Sequence, residues 1–277
     1  METFKSVFRF YINSSIHVAL AICALVQVTF MKYQLFDGYT LLTFIFFGAI
    51  TAYNFVKYSK VSKLYHKRLT RSMKSISVLT IISGLLFVYY AAFKIPINTL
   101  LSMVPFIVLT VLYVMPVFPN KKNLRSLAGV KIFIIGVAWS GITVLVPLVH
   151  SGKVLDLDFF IEMIQRFLFI VVMMLPFEVR DLQYDAEALE TIPQKIGVTK
   201  TKVFGSVLLV IFLVLIALKG QLISSIEILS TILVTTISLF FLWGTEKKQS
   251  EYYCSFYVES IPILWLVILI ILQDLLS

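Results

Sequence analysis

The sequence predicts an all-α polytopic integral membrane protein, a bundle of about nine transmembrane helices. Three observations point there. Of the 277 residues 59% are hydrophobic and only 14% are charged, a balance foreign to a water-soluble domain of this length. The apolar residues gather into nine stretches, each near the roughly 20 residues that a helix needs to cross a bilayer. These stretches are uniformly apolar, without the alternation that lipid-facing and lumen-facing positions impose on a membrane β-barrel. Residues 1–277 therefore read as a single transmembrane domain.

The first stretch, 14–31, follows Lys5 and Arg9 and so has the outline of a secretory signal. It is too long for a signal core and no small-residue cleavage site follows it, so it is expected to stay in the mature protein. Then come 39–58, 75–94, 97–118, 127–149, 159–178, 201–218, 222–243 and 257–275, separated by polar or charged connections. Pro105, Pro116, Pro147, Pro176 and Pro262 fall inside these spans or near their ends, where each removes a helix hydrogen bond and favours a kink. Kinks of this kind open chambers in lipid-handling enzymes and in transporters alike. Cys23 and Cys254 have no metal-ligand spacing and imply no redox or zinc role.

Orientation follows from the basic residues. One side carries Lys5 and Arg9, then Lys57, Lys60, Lys63, Lys67, Arg68, Arg71 and Lys74 after the second span. It adds Lys121, Lys122 and Arg125 after the fourth, Arg180, Lys195, Lys200 and Lys202 after the sixth, and Lys247 and Lys248 after the eighth. The other side carries only Lys32, Lys94, Lys153 and Lys219, while Lys131 and Arg166 lie within spans. The N-terminus is accordingly expected in the cytoplasm and, with an odd number of spans, the C-terminus outside, in the cell inner membrane. The formal charge of +9 then serves topology and anionic lipid headgroups, and no nucleic-acid partner is expected.

The two longest connections, after the second and sixth spans, lie on the same basic side. The one after the sixth, 178–197, holds five of the fifteen acids: Glu178, Asp181, Asp185, Glu187 and Glu190. Asp181 and Asp185 are four apart and share a face if the helix continues. Paired carboxylates there suit Mg²⁺, which takes one or two carboxylates together with substrate phosphate oxygens. The same residues also make a solvated acidic helix end in which Arg180 is a local ion-pair partner. Spacing alone leaves both readings open.

Arg180-Asp181-x-x-x-Asp185, followed by Thr191-Ile192-Pro193 and Ile196-Gly197, resembles the second aspartate-rich motif of the UbiA superfamily of membrane prenyltransferases. Nine spans, an inside N-terminus and the basic Pro119-Asn120-Lys121-Lys122 after the fourth span are similar to that family as well. The resemblance implies transfer of an isoprenyl group from an isoprenyl diphosphate to a lipophilic or aromatic acceptor, with Mg²⁺ as cofactor. It assigns Asp181 and Asp185 as metal ligands and catalytic residues, and Arg180, Lys121 and Lys122 as diphosphate contacts. The family's first motif, N-D-x-x-D-x-x-x-D, is degenerate: Asn54 remains, but Phe55, Tyr58 and Ser62 stand in place of the three acids. That half cannot hold Mg²⁺ with carboxylates, which implies altered or reduced activity and leaves Asn54, Tyr58 and Ser62 as substrate-facing positions. At about 100° per residue, Lys57 and Lys60 point well away from that face and read as snorkelling anchors. Tyr65 and His66 return toward it if the helix continues. The alternative is a non-catalytic membrane protein that binds or carries an isoprenoid-like lipid.

Glu162 and Arg166, four apart, are expected to pair, with Arg166 snorkelling outward. Glu259 lies at the entrance to the ninth span, either as part of a site or solvated in the interface. His17 reads as a hydrogen-bonded packing residue, and His150 as a loop residue with no visible partner.

Overall fold

The computed structural model describes residues 2–58, 71–116, 119, 123–127, 129–184, 189–220 and 224–276. Among the described residues helices are joined by turns and short connections, with no strand. The helices are α1 (Glu2–Asn13), α2 (Ile16–Lys32), α3 (Thr40–Tyr58), α4 (Arg71–Phe93), α5 (Ile97–Val114), α6 (Lys131–Ser140), α7 (Val146–His150), α8 (Leu157–Asp181), α9 (Ile192–Ile196), α10 (Val198–Val214), α11 (Ser225–Trp243) and α12 (Ile261–Leu276). A π-helical turn at Gly141–Leu145 joins α6 to α7 into one span, and another at Tyr253–Val258 leads toward α12. Eight helical segments are long and apolar enough to cross a membrane, and α1 with α2, bent by 58° at their junction, makes a ninth if counted as one span. The chain is an all-α polytopic membrane protein.

Local chemistry places the breaks. Ser15 ends the α1–α2 junction in the left-handed region at φ 63°, and both Ser14 and Ser15 are buried. Asn54 of α3 satisfies them, accepting from the Ser15 hydroxyl at 2.8 Å and donating to the Ser14 carbonyl at 3.1 Å. Asp156 caps α8 by accepting from Phe159 N–H at 2.9 Å, and Ser224 caps α11 by accepting from Glu227 N–H at 3.1 Å, each supplying one of the acceptors that a helix start lacks.

Each span packs mainly on its neighbours in sequence, and α12 lies against both α11 and α2, so the last span returns to the first. α4 packs on α3, while α5 packs on α6 and α7; α4 and α5, joined through residues 94–96, share little contact. α8 and α2 are the most enclosed helices, and the core runs from Phe44, Leu25 and Val28 to an aromatic group of Phe169, Phe212 and Trp265. Outward apolar side chains such as Val78, Ile81 and Leu85 of α4 remain exposed, as lipid-facing positions are. Pro105 lies inside α5 and Pro176 inside α8, Pro147 starts α7, and Pro262 lies in the first turn of α12.

Candidate functional site

At the end of the bundle that carries most of the basic residues, hereafter the basic face, α8 finishes in Glu178, Arg180 and Asp181. Continuation of the helix past Pro176 puts Glu178 and Asp181, three apart, on one side, where the Lys131 ammonium of α6 meets both at 3.0 and 3.5 Å. The Arg180 guanidinium lies 2.8 Å from the other Asp181 oxygen and stacks over the Phe177 ring at 5.2 Å. Asp181 thus has one cation at each oxygen. Gln183 donates to the Lys247 carbonyl at 3.1 Å, tying this end of α8 to the segment between α11 and α12. Glu259, partly buried, is within electrostatic reach of Lys57 and Arg180, so it belongs to the same charged neighbourhood. Behind these charges Trp139 of α6 donates to the Tyr53 hydroxyl of α3 at 2.7 Å. A recess of about 10 Å³ opens here among Arg125, Lys131, Glu178 and Thr191.

The residues expected from the sequence are distributed as follows. Arg180 and Asp181 meet as an ion pair. Asn54 is buried and its amide is spent on Ser14, Ser15 and Thr80, the last at 2.9 Å. Tyr58 donates to the Asn13 carbonyl at 2.9 Å and Lys57 donates to the same carbonyl at 3.2 Å, so both fasten α3 to the end of α1. Asp185, Ser62, Lys121 and Lys122, with Lys60, Tyr65 and His66, lie outside the described residues. Among the described residues no three His, Cys, Asp or Glu side chains group to hold a metal ion, and Asp181 alone, engaged by two cations, does not fit Mg²⁺. The magnesium expectation rests on Asp181 together with Asp185.

Thr191-Ile192-Pro193 and Gly197 acquire a local explanation. Thr191 is the N-cap of α9, its N–H bonded to the Gln194 side chain at 2.8 Å in a capping box, and Pro193 occupies the first turn, where its missing N–H costs nothing. Gly197, at φ 80°, separates α9 from α10 in a conformation that favours glycine.

Comparison with protein-family models, curated proteins and solved structures finds no match. The likeness to the prenyltransferases therefore stands on the residues quoted for it.

A second charged group lies toward the opposite face, and sequence reasoning missed it. Arg166 and Glu162 of α8 pair at 3.1 Å as their spacing implies. Both are completely buried, which corrects the expectation that Arg166 snorkels outward. Its guanidinium turns into the bundle, donating to the Leu25 carbonyl at 2.9 Å and to the Thr143 and Thr29 hydroxyls at 3.4 and 3.3 Å. The π-helical turn at Gly141–Leu145 presents Thr143 there, and its carbonyl accepts from Thr29 at 2.6 Å. Lys32 reaches Glu162 at 3.0 Å and Glu227 at 3.3 Å, and Lys219 reaches the same carboxylates at 2.7 and 2.6 Å. Lys32 and Arg166 both lie over the Trp265 ring, at 5.0 and 5.1 Å. The one signal in the sequence is that Lys32 and Lys219, two of the few bases on this side, each stand at a span end; which acids they meet is not written there.

His17 is a packing residue as expected, between the Tyr11 hydroxyl at 2.7 Å and the Phe256 carbonyl at 3.0 Å. His150 differs from expectation: it ends α7, 2.7 Å from Asp37 and 3.0 Å from the Thr99 hydroxyl.

Proposed function

We propose that this membrane protein takes an isoprenoid amphiphile of the prenyl diphosphate class, with the anionic head at the basic face. The observation that carries the proposal is the convergence of Lys131 and Arg180 on Asp181 at the foot of the 181–197 segment, where the prenyltransferase-like residues stand. Lys131 and Arg180, held by Glu178 and Asp181, would give a diphosphate a point-charge and a bidentate partner on exchanging those carboxylates for it. α4 and α5 share little contact, and the isoprenoid chain would lie along their apolar faces; Tyr53 and Trp139 bridge α3 and α6. In the catalytic form of this reading the protein is a prenyltransferase: Asp181 and Asp185 would hold Mg²⁺, Lys121 and Lys122 would add positive charge, and a lipophilic acceptor would take the isoprenyl group as diphosphate leaves. The protein's own contribution is then to bind and orient the diphosphate and to stabilise its departing charge. The N-terminus lies in the cytoplasm and the C-terminus outside, in the cell inner membrane, with the basic face inward.

A non-catalytic binder or carrier is the second reading. It is favoured by the ion pairs that already engage Asp181, by the structural use of Asn54 and Tyr58, and by the missing acids at Phe55 and Ser62. Calorimetric titration of geranylgeranyl diphosphate into purified protein in detergent, with and without Mg²⁺, tests both. Magnesium-dependent binding that a D181A/D185A double variant abolishes supports the catalytic form. Magnesium-independent binding that weakens in Lys131→Gln supports the binder. No binding over several chain lengths by folded protein overturns the proposal.

A further inference from the structure

A cavity of about 270 Å³ opens beside the buried charges at the opposite face, lined by Met31, Lys32, Asp158, Lys219, Ile226 and Glu227 among others. It is far larger than the roughly 10–15 Å³ that admits one water, and its wall is made by both signs of charge. Lys32, Lys219 and Glu227 of this lining are ion-paired inward with Arg166 and Glu162 or with one another, three cations against two carboxylates. At the rim Asp158 accepts from Gly220 N–H at 2.8 Å and adds a third acid. The interior is thus positive on balance and the rim supplies negative charge. Met31, Ile226 and Leu269 complete the lining with apolar surface.

A second observation concerns hydrogen bonding. Arg166 Nε, Gln165 Oε1 and Trp265 Nε1 are all buried without a hydrogen-bond partner among the described residues. Arg166 and Trp265 are in contact through the ring face, and Gln165 is adjacent on α8. Buried polar atoms are seldom left unmatched, because each unmatched one costs the full desolvation penalty. All three residues are enclosed and none of them lines the cavity, so an occupant is met by Lys32, Lys219, Glu227 and Asp158 and not by these atoms.

We propose that this cavity binds a small zwitterion made of a phosphate and a primary ammonium: the phosphoethanolamine group, free or as a phospholipid head. Its phosphate meets Lys32 and Lys219, and its ammonium meets Glu227 and Asp158. Met31, Ile226 and Leu269 border the first carbons of an attached lipid. The site is separate from the basic face and does not depend on the function proposed there.

The test uses the full chain purified in detergent and stripped of lipid. Retention of phosphatidylethanolamine, phosphatidylcholine and phosphatidylglycerol is compared by native mass spectrometry, with melting temperature followed in parallel and free phosphoethanolamine as competitor. The expected result is at least tenfold preference for phosphatidylethanolamine and a raised melting temperature. Glu227→Gln should lose the preference for the ammonium head. Ile226→Trp, which fills the cavity while leaving every charge in place, should lose retention altogether. Competition by free phosphoethanolamine at concentrations similar to the lipid assigns the site to the soluble zwitterion; competition by the lipid alone assigns it to the headgroup. Equal retention of the three lipids with no effect of free phosphoethanolamine, or an unchanged preference in folded Ile226→Trp, overturns the proposal.

Discussion

Arg166 and Glu162 illustrate how a four-residue spacing specifies a pair without specifying its surroundings. The pair forms at 3.1 Å, yet the guanidinium goes to backbone and hydroxyl oxygens of α2 and the π-helical turn instead of the interface. Burying ions is favourable only when partners and hydrogen bonds offset lost hydration, and removing one partner of such a group costs about 3–5 kcal/mol. Glu162 is shared by Arg166, Lys32 and Lys219. Its neutralisation leaves Arg166 without its carboxylate and Lys32 and Lys219 with Glu227. Glu162→Gln is therefore expected to lower stability by about 3–5 kcal/mol, seen as a lower melting temperature in detergent by tryptophan fluorescence. A melting temperature equal to that of the parent would mean that water already solvates these charges.

Among the elements, α8 is the one that joins the two charged regions. Its first turns carry Glu162 and Arg166 and its last turn carries Glu178, Arg180 and Asp181, with Pro176 between. The adjoining span, α6 with α7, contributes Lys131 at one end and, through its π-helical turn, Thr143 at the other. That turn depends on close approach. A Cβ on Gly141 would lie 1.9 Å from the Phe106 ring of α5, so only glycine lets α5 seat against it. Gly141→Ala is expected to cost about 1–3 kcal/mol through overpacking, and Phe106→Leu in the same chain should recover part of the loss. The measurement is thermal unfolding of the single and double variants. Equal loss in both would show that the clash is not what fixes this contact.

On the scale of the whole molecule, α12 returns to α2, while α4 and α5, consecutive in sequence, share little contact. The proposed orientation has a direct check. With nine crossings the termini lie on opposite sides, so a fluorescent protein active only in the cytoplasm should report from an N-terminal fusion and stay dark at the C-terminus. A secreted phosphatase reporter should behave in the opposite way. Reporters that place both termini on one side would mean that α1 and α2, bent by 58°, do not make a crossing.

The sequence by itself determined the fold class, the span boundaries to within a few residues and the pairing of Glu162 with Arg166, because length, apolarity and helical spacing are local properties of a chain in a bilayer. The start of α9 at Thr191-Ile192-Pro193 enters the sequence reading only as part of the prenyltransferase-like motif, although a capping residue followed by proline in the first turn is a local signal of a helix start. Only the tertiary structure decided where charges go. Lys32, Lys219 and Glu227 belong to three different spans, and nothing in their own neighbourhoods indicates that they converge on Glu162. Asn54 and Tyr58 likewise stand where a substrate-facing motif would be, but packing against the α1–α2 break takes up their hydrogen bonds. Long-range convergence is set by which helix faces meet, and a chain read along its length does not carry that information residue by residue.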